Sequence, residues 1–265
     1  MPLVHDVVAH AHCPVPRLNG RGVGPSRRCR PALDGVGRKE ARPPSVAPGV
    51  RIDIWSDVVC PWCYLGKRRF ERAVASLGWG GEVEVRMRAY QLDPGASREP
   101  GDLRASLERK YGPGAFDAMV TRLVALGAPE GIDYRFDRAQ RVNTRDAHRL
   151  LAWAWATAPE AQGRLAERLF QAYFEEGADV ADHPALARFA ADAGLDADAA
   201  AATLASTEFG DEVAGDSQAA LEREITGVPA FVIEDRLLIP GAQEVDTFVA
   251  VLERARQRLA PSPEG

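Results

Sequence analysis

The first sustained pattern of apolar and polar positions begins at Val50. In "VRIDIWSDVV", Ile52, Ile54, Trp55 and the Val58-Val59 pair suit a largely buried strand followed by a short loop. Pro61 fits the first turn of a helix, where its missing N–H is harmless. Leu65, Phe70, Val74 and Leu77 continue at helical spacing to a stop at Gly78. "EVEVRMRAYQLDP" then alternates Val83, Val85, Met87 and Ala89 against Glu84, Arg86 and Arg88, a second strand ended by Asp93-Pro94. Strand, helix and strand within about 45 residues is the scale of a βαβ unit.

From residue 97 to 206 the periodicity is helical. Asn143 is placed to cap one helix, with Asp146 three residues on, close to a capping box. "PEAQGRLAERLFQAYFEEG" and "DHPALARFAADAG" carry their own start and stop signals, including Asp182 as a cap and Gly194 as a terminator. "LDADAAAATLAS" is a short helix by propensity. No stretch of this segment carries a chemical motif by itself. Beyond it, "DEVAGDSQAALEREI" is an amphipathic helix, and Ala230–Ile233 with Leu237–Ile239 read as a hairpin around Glu234-Asp235-Arg236. A closing helix places Val245, Phe248, Val249 and Leu252 on one side. The order predicts an α/β domain in two halves, residues 50–96 and 207–260, split by an all-helical insertion at 97–206.

Composition changes this picture at one end. Residues 1–49 hold eight of the 19 prolines, a net charge of +5 and no apolar period, so they read as a disordered, basic Pro/Gly/Arg-rich tail. Translated sequence upstream of a start near Val50 is the other reading. The remaining chain carries −10, which makes it a poor general polyanion binder, so no nucleic-acid partner is expected. No run approaches the roughly 18 apolar residues of a membrane span, and "MPLVHDVVAHAHCPVPRLNG" lacks the apolar core of an export signal. No membrane association and a cytoplasmic location follow as expectations. Four cysteines in 265 residues exclude a structural disulfide framework.

Candidate chemistry centres on "DVVCPWCYLGKRRF". With a helix starting after Cys60, that sulfur faces unpaired backbone N–H groups, and these with the helix dipole favour a thiolate. Cys63, one turn later, is placed to attack a mixed disulfide formed on Cys60. A zinc site needs further soft ligands, but Cys13 and Cys29 sit in the tail and the nearest histidine of the ordered part is His148, so no metal is expected. Inert core thiols need not follow a strand and open a helix. The redox couple is the favoured reading. "TGVPAF" adds a second signal, with Pro229 immediately before a strand, where a cis bond is the exception that marks function.

Five segments in order, "DIWSDVVCPWCYLGKRRF", "NTRDAHRL", "LFQAYFEEG", "TGVPAFVI" and "PGAQ", resemble the DsbA-like branch of the thioredoxin superfamily, specifically its FrnE-like group. The resemblance covers about residues 50–260, leaving out the tail. It implies a thioredoxin fold split by a helical insertion and disulfide oxidoreductase or isomerase activity. Cys60 is then the nucleophile and Cys63 the resolving thiol. Pro61, Trp62, Val228 and Pro229 would contact substrate, the last two as a cis-proline loop. No cofactor is implied beyond the redox-active disulfide, and the partners are thiol or disulfide proteins, with glutathione a candidate. The same branch resembles 2-hydroxychromene-2-carboxylate isomerases and kappa-class glutathione transferases, which typically use serine where this chain has Cys60. A glutathione-dependent isomerase or transferase, or a non-catalytic binding module, therefore stands as the alternative.

Other residues carry blander readings. His148 is either a proton shuttle or, preferably, a structural or surface histidine. Asp57 is more readily a cap or a solvated charge than a modulator of the thiol. Trp62, between the cysteines, is expected to be exposed. Trp153 and Trp155 point to different faces of a helix and read as packing residues. His5, His10 and His12 with Cys13 form a metal-like cluster only on paper.

Overall fold

The structure, a computed structural model, describes residues 49–259. The tail, its histidines and Cys13 and Cys29 lie outside the described residues. Four strands form one mixed sheet: β1 (Val50–Ser56), β2 (Val83–Ala89), β3 (Ala230–Ile233) and β4 (Leu237–Pro240), in the order β2-β1-β3-β4. β1 runs parallel to β2, in register from Val50↔Val83 to Ser56↔Ala89, and antiparallel to β3 from Ile52↔Ile233 to Trp55↔Ala230. The parallel pair needs a crossover, which helix α1 (Pro61–Ser76) supplies. Gly78 ends that helix region at a φ of 70°, a backbone conformation that glycine adopts without steric cost.

One face of the sheet packs on α1 and on the closing helix α9 (Val245–Leu259), through Phe70, Phe231 and Phe248, whose ring centres lie 4.8–5.7 Å apart. Each ring buried in this way contributes about 1.5–3 kcal/mol. The opposite face holds Trp55, Ala230 and Val232 against Ala220 of α8 (Gly210–Glu222) and the following Ile225. The alternation of β1 thus serves two buried faces at once, which explains its near-continuous apolar run.

Between β2 and α8 come six helices: α2 (Leu103–Tyr111), α3 (Ala115–Gly127), α4 (Arg145–Thr157), α5 (Pro159–Gln171), α6 (His183–Asp192) and α7 (Ala197–Ala205). This is an α/β thioredoxin fold interrupted by a helical insertion. Asp182 caps α6 by accepting from the Ala185 N–H at 2.9 Å. Asn143 does not cap α4: Thr144 occupies that position, and the Asn143 side chain instead accepts from the Arg145 N–H at 2.8 Å. Its amide nitrogen is drawn away to the carbonyls of Pro94 and Ala96, which fixes it one residue too early. Trp153 is buried, and Trp155 is half-buried beneath the Arg86 guanidinium, 5.3 Å from its ring centre.

The insertion shares its apolar core with the sheet. Its most specific contact is polar. β2 is an edge strand, so its outward backbone groups need partners. Gln162 of α5, 1% exposed, accepts from the Met87 N–H at 2.8 Å and donates to the carbonyls of Met87 and Leu151 at 3.1 and 3.0 Å. One turn along the strand, Asp216 of α8 accepts from the Ala89 N–H at 2.9 Å and from Arg88, which also pairs with buried Asp53 at 2.6 Å. Two helices therefore take the place of a neighbouring strand. Gln162→Leu keeps the volume but strips both Met87 groups of their partner. Urea unfolding should register a loss of about 2–6 kcal/mol with a native-like circular dichroism spectrum, at about 1–3 kcal/mol per orphaned buried group.

Candidate active site

Cys60 is the residue immediately before α1, in an extended conformation, with Pro61 as the first helical residue. The turn is built by the backbone: the Cys60 N–H donates to the Asp57 carbonyl, and the Cys63 and Tyr64 N–H groups both donate to the Cys60 carbonyl, at 3.0 and 3.3 Å. This places Cys63 one turn into the helix. Both cysteines are free thiols, 4% and 2% exposed. Burial pushes the Cys63 thiol well above its ordinary range, and its hydrogen bond to Cys60 and the charge of Cys60 push the same way. Ser56 and the Asp57 backbone oppose that shift without cancelling it.

The chain returns to the thiols from far away. The Val228–Pro229 peptide is cis, and the Cys60 Sγ lies 3.7 Å from the Val228 carbonyl oxygen. Pro229 is buried, Val228 half-buried, and Thr226 and Gly227 are exposed beside them. The approach is set by Gly66 on α1: a Cβ there would stand 2.9 Å from the Pro229 ring and 3.3 Å from the Ala242 side chain. Four of the residues singled out from sequence, Cys60, Cys63, Val228 and Pro229, are thus brought into one place by packing. Pro61 and Trp62 complete the loop between the sulfurs.

Two expectations are corrected. Trp62 is half-buried instead of exposed, because it packs against the core and under the Arg122 guanidinium of α3, 5.1 Å from its ring centre. Asp57 is neither a cap nor a solvated charge; it is completely buried, with one oxygen accepting from the Leu92 N–H at 2.8 Å and the other 3.2 Å from His148 Nε2. His148, 2% exposed, is accordingly a buried partner of the loop that leads into Cys60. A residue not singled out from sequence also reaches the site. Tyr134, from the irregular stretch before α4, donates its hydroxyl to the Pro61 carbonyl. Its ring stacks on Phe136, meets Phe174 edge to face, and forms part of the wall of an open groove of about 1010 Å³ on the insertion.

The arrangement offers one sulfur at a helix N-terminus, a second sulfur hydrogen-bonded to it, and the Val228 carbonyl of a cis-proline loop alongside. Residues 51–253 match a family model described as the DSBA-like thioredoxin domain. A probable DsbA oxidoreductase from Streptomyces coelicolor is similar in structure, with a TM-score of 0.73 and 34% identity over 82% of this chain and 93% of that one. The Bacillus subtilis protein YwbO is 28% identical over 200 residues, 75% of this chain and 94% of its own length. The cytosolic disulfide reductase DsbM of Pseudomonas aeruginosa, also solved with GSH, shares the fold at a TM-score of 0.57 and 18% identity, over 79% of this chain and 100% of that one.

Two outcomes follow from this geometry. Gly66→Ala drives a methyl group into Pro229 and should destabilise the protein by about 1–3 kcal/mol while lowering the reactivity of Cys60 toward disulfides. Alkaline pH should also loosen the fold. Burial raises the Cys63 thiol and the Tyr134 and Tyr173 hydroxyls, so above their ordinary ranges the folded chain holds more protons than the unfolded one. Stability then falls with rising pH, beginning near about pH 8.5 for the thiol and steepening above about pH 10 for the tyrosines, by about 1.4 kcal/mol per pH unit for each group. Urea midpoints between pH 7 and 11, read beside tyrosinate absorbance, test the sign.

Proposed function

The chain belongs to the DSBA-like thioredoxin domain family, and on that footing we propose that it is a cytoplasmic thiol–disulfide oxidoreductase of the FrnE-like group, acting through Cys60 and Cys63 on protein thiols and disulfides. The observation that carries this reading is the meeting of three parts: a thiol at the N-terminus of α1, a buried second thiol touching it, and the Val228 carbonyl 3.7 Å from the first sulfur.

In the reducing direction, the Cys60 thiolate attacks one sulfur of a substrate disulfide. A new S–S bond joins Cys60 to the substrate, and the other substrate sulfur leaves as a thiolate and takes up a proton. Cys63 then gives up its proton and attacks the Cys60 sulfur. The second substrate thiol is released, the Cys60–Cys63 disulfide forms, and two electrons have passed from protein to substrate. Burial keeps Cys63 protonated in the resting dithiol, which suits a thiol that acts second. The Val228 carbonyl beside the sulfur, with Thr226 and Gly227 exposed next to it, supplies backbone against which a substrate strand can lie. Run backwards, the same steps oxidise or reshuffle a client.

Glutathione is the proposed recycling thiol, a reading that the shared fold of DsbM, solved with GSH, supports. The cytoplasmic location is part of this proposal; among the described residues no helix is long and apolar enough to cross a membrane.

Titration in glutathione buffers should show one reversible two-electron transition of the Cys60–Cys63 pair. Cys63→Ser should accumulate mixed disulfides visible by mass spectrometry under non-reducing conditions, and Cys60→Ser should reduce insulin no faster than buffer. A chain that shows no transition, and whose Cys63→Ser form traps nothing, is a binding module instead. Chemistry that survives loss of Cys63 but requires added glutathione would identify a glutathione-dependent isomerase or transferase.

A further inference from the structure

The first turn of α1 leaves few donors free. Pro61 has no N–H, and the N–H groups of Cys63 and Tyr64 are both taken by the Cys60 carbonyl. That leaves the Trp62 N–H, which none of the described residues engages, as the donor available to the Cys60 sulfur when it carries charge. The peptide group that carries this N–H begins with the Pro61 carbonyl, and that oxygen accepts from the Tyr134 hydroxyl. A hydrogen bond at one end of a peptide unit polarises it and strengthens the bond made at the other end.

We infer that Tyr134 is a positioning residue for the dithiol: its hydroxyl, held on the Pro61 carbonyl, strengthens the Trp62 N–H toward the Cys60 sulfur and so favours the reduced form. This rests on the thiol–disulfide exchange reading above. The tyrosine is seated for the task by its surroundings. Its ring packs against backbone at Gly127, where an added Cβ would stand 2.6 Å from a ring carbon. Three neighbouring rings, Tyr64, Phe136 and Phe174, hold it at centre distances of 5.2–6.1 Å. The hydroxyl also lies within the electrostatic reach of both sulfurs: after burial, the charge of Cys60 is the largest influence holding its proton on. The inserted segment therefore acts on the reacting sulfur through a hydrogen bond to its loop.

The test is a glutathione redox titration of the full chain in the wild type, Tyr134→Phe and Tyr173→Phe, with the rate of iodoacetamide alkylation of Cys60 at pH 7 as a second readout. Tyr173 is the control, since its hydroxyl bonds to a carbonyl of the insertion, that of Gln140 at 2.6 Å, and not to α1. Tyr134→Phe should shift the equilibrium toward the disulfide about threefold, or ~14 mV at 29.6 mV per tenfold change, and slow alkylation by a similar factor. Tyr173→Phe should change neither. Gly127→Ala, which displaces the ring but keeps the hydroxyl, should shift the equilibrium the same way. A wild-type pair that cycles while Tyr134→Phe and Gly127→Ala cycle at the same potential, or at a more oxidising one, overturns the inference alone. A wild-type pair that does not cycle overturns the exchange reading and this inference with it.

Discussion

A missing side chain at Gly66 lets α1 lie against the Val228–Pro229 loop, and most of the site depends on how near that approach is. Cys60 and Val228 stand 168 positions apart in the chain, yet the sulfur and the carbonyl oxygen meet at 3.7 Å. The sheet order makes the meeting possible. β3 lies beside β1 in antiparallel register, so the residues entering β3 arrive at the end of β1 from which the cysteine loop departs. The rings of Phe70, Phe231 and Phe248 then fix the helix over the strands, one turn beyond the glycine. A side chain at position 66 would not remove any of these groups; it would separate them.

The inserted helices do more than enlarge the domain. Gln162 pairs with both backbone groups of Met87 on the β2 edge, and Tyr64 on α1 stacks on Phe170 of α5 at 5.1 Å, so the insertion is bonded to both the sheet and the helix that carries the thiols. Three of its side chains close around the cysteine loop: His148 on Asp57, Tyr134 on Pro61, and Arg122 on Trp62. The loop between strand and helix is thus held by a second layer of side chains, around a Cys60 that is only 4% exposed.

The order of elements was legible because each obeys a local rule. Alternation marked β2, Pro61 and Gly78 bracketed α1, and the polar triplet Glu234-Asp235-Arg236 separated β3 from β4. The cysteine pair and the Val-Pro dipeptide were legible as chemistry because their spacing and placement have few other uses. What was hidden depends on distant partners. Asp57 reads as a loop charge until His148 and the Leu92 N–H are seen to enclose it. Gln162 is one polar position on an amphipathic helix, distinguishable from a surface glutamine only once β2 lies against it. Tyr134 sits in "GIDYRFDRA", where Ile132, Tyr134 and Phe136 alternate with Asp133, Arg135 and Asp137; that alternation marks a buried ring, but only the packing of Gly127 and the aromatic neighbours aims its hydroxyl. Asn143 shows the opposite error: a correct residue type for a cap, diverted by two carbonyls from another part of the chain.

The two borders of the sheet are unequal. Along β2 the outward N–H groups of Met87 and Ala89 are already occupied by side chains from α5 and α8. Along β4 no described strand pairs on the outer side, Leu237 and Leu238 are 37% and 39% exposed, and the strand is four residues long with proline at its end. Sheet growth by self-association therefore meets helix side chains at one end of β2, and along β4 a template too short, and too soon interrupted by proline, to propagate a fibril.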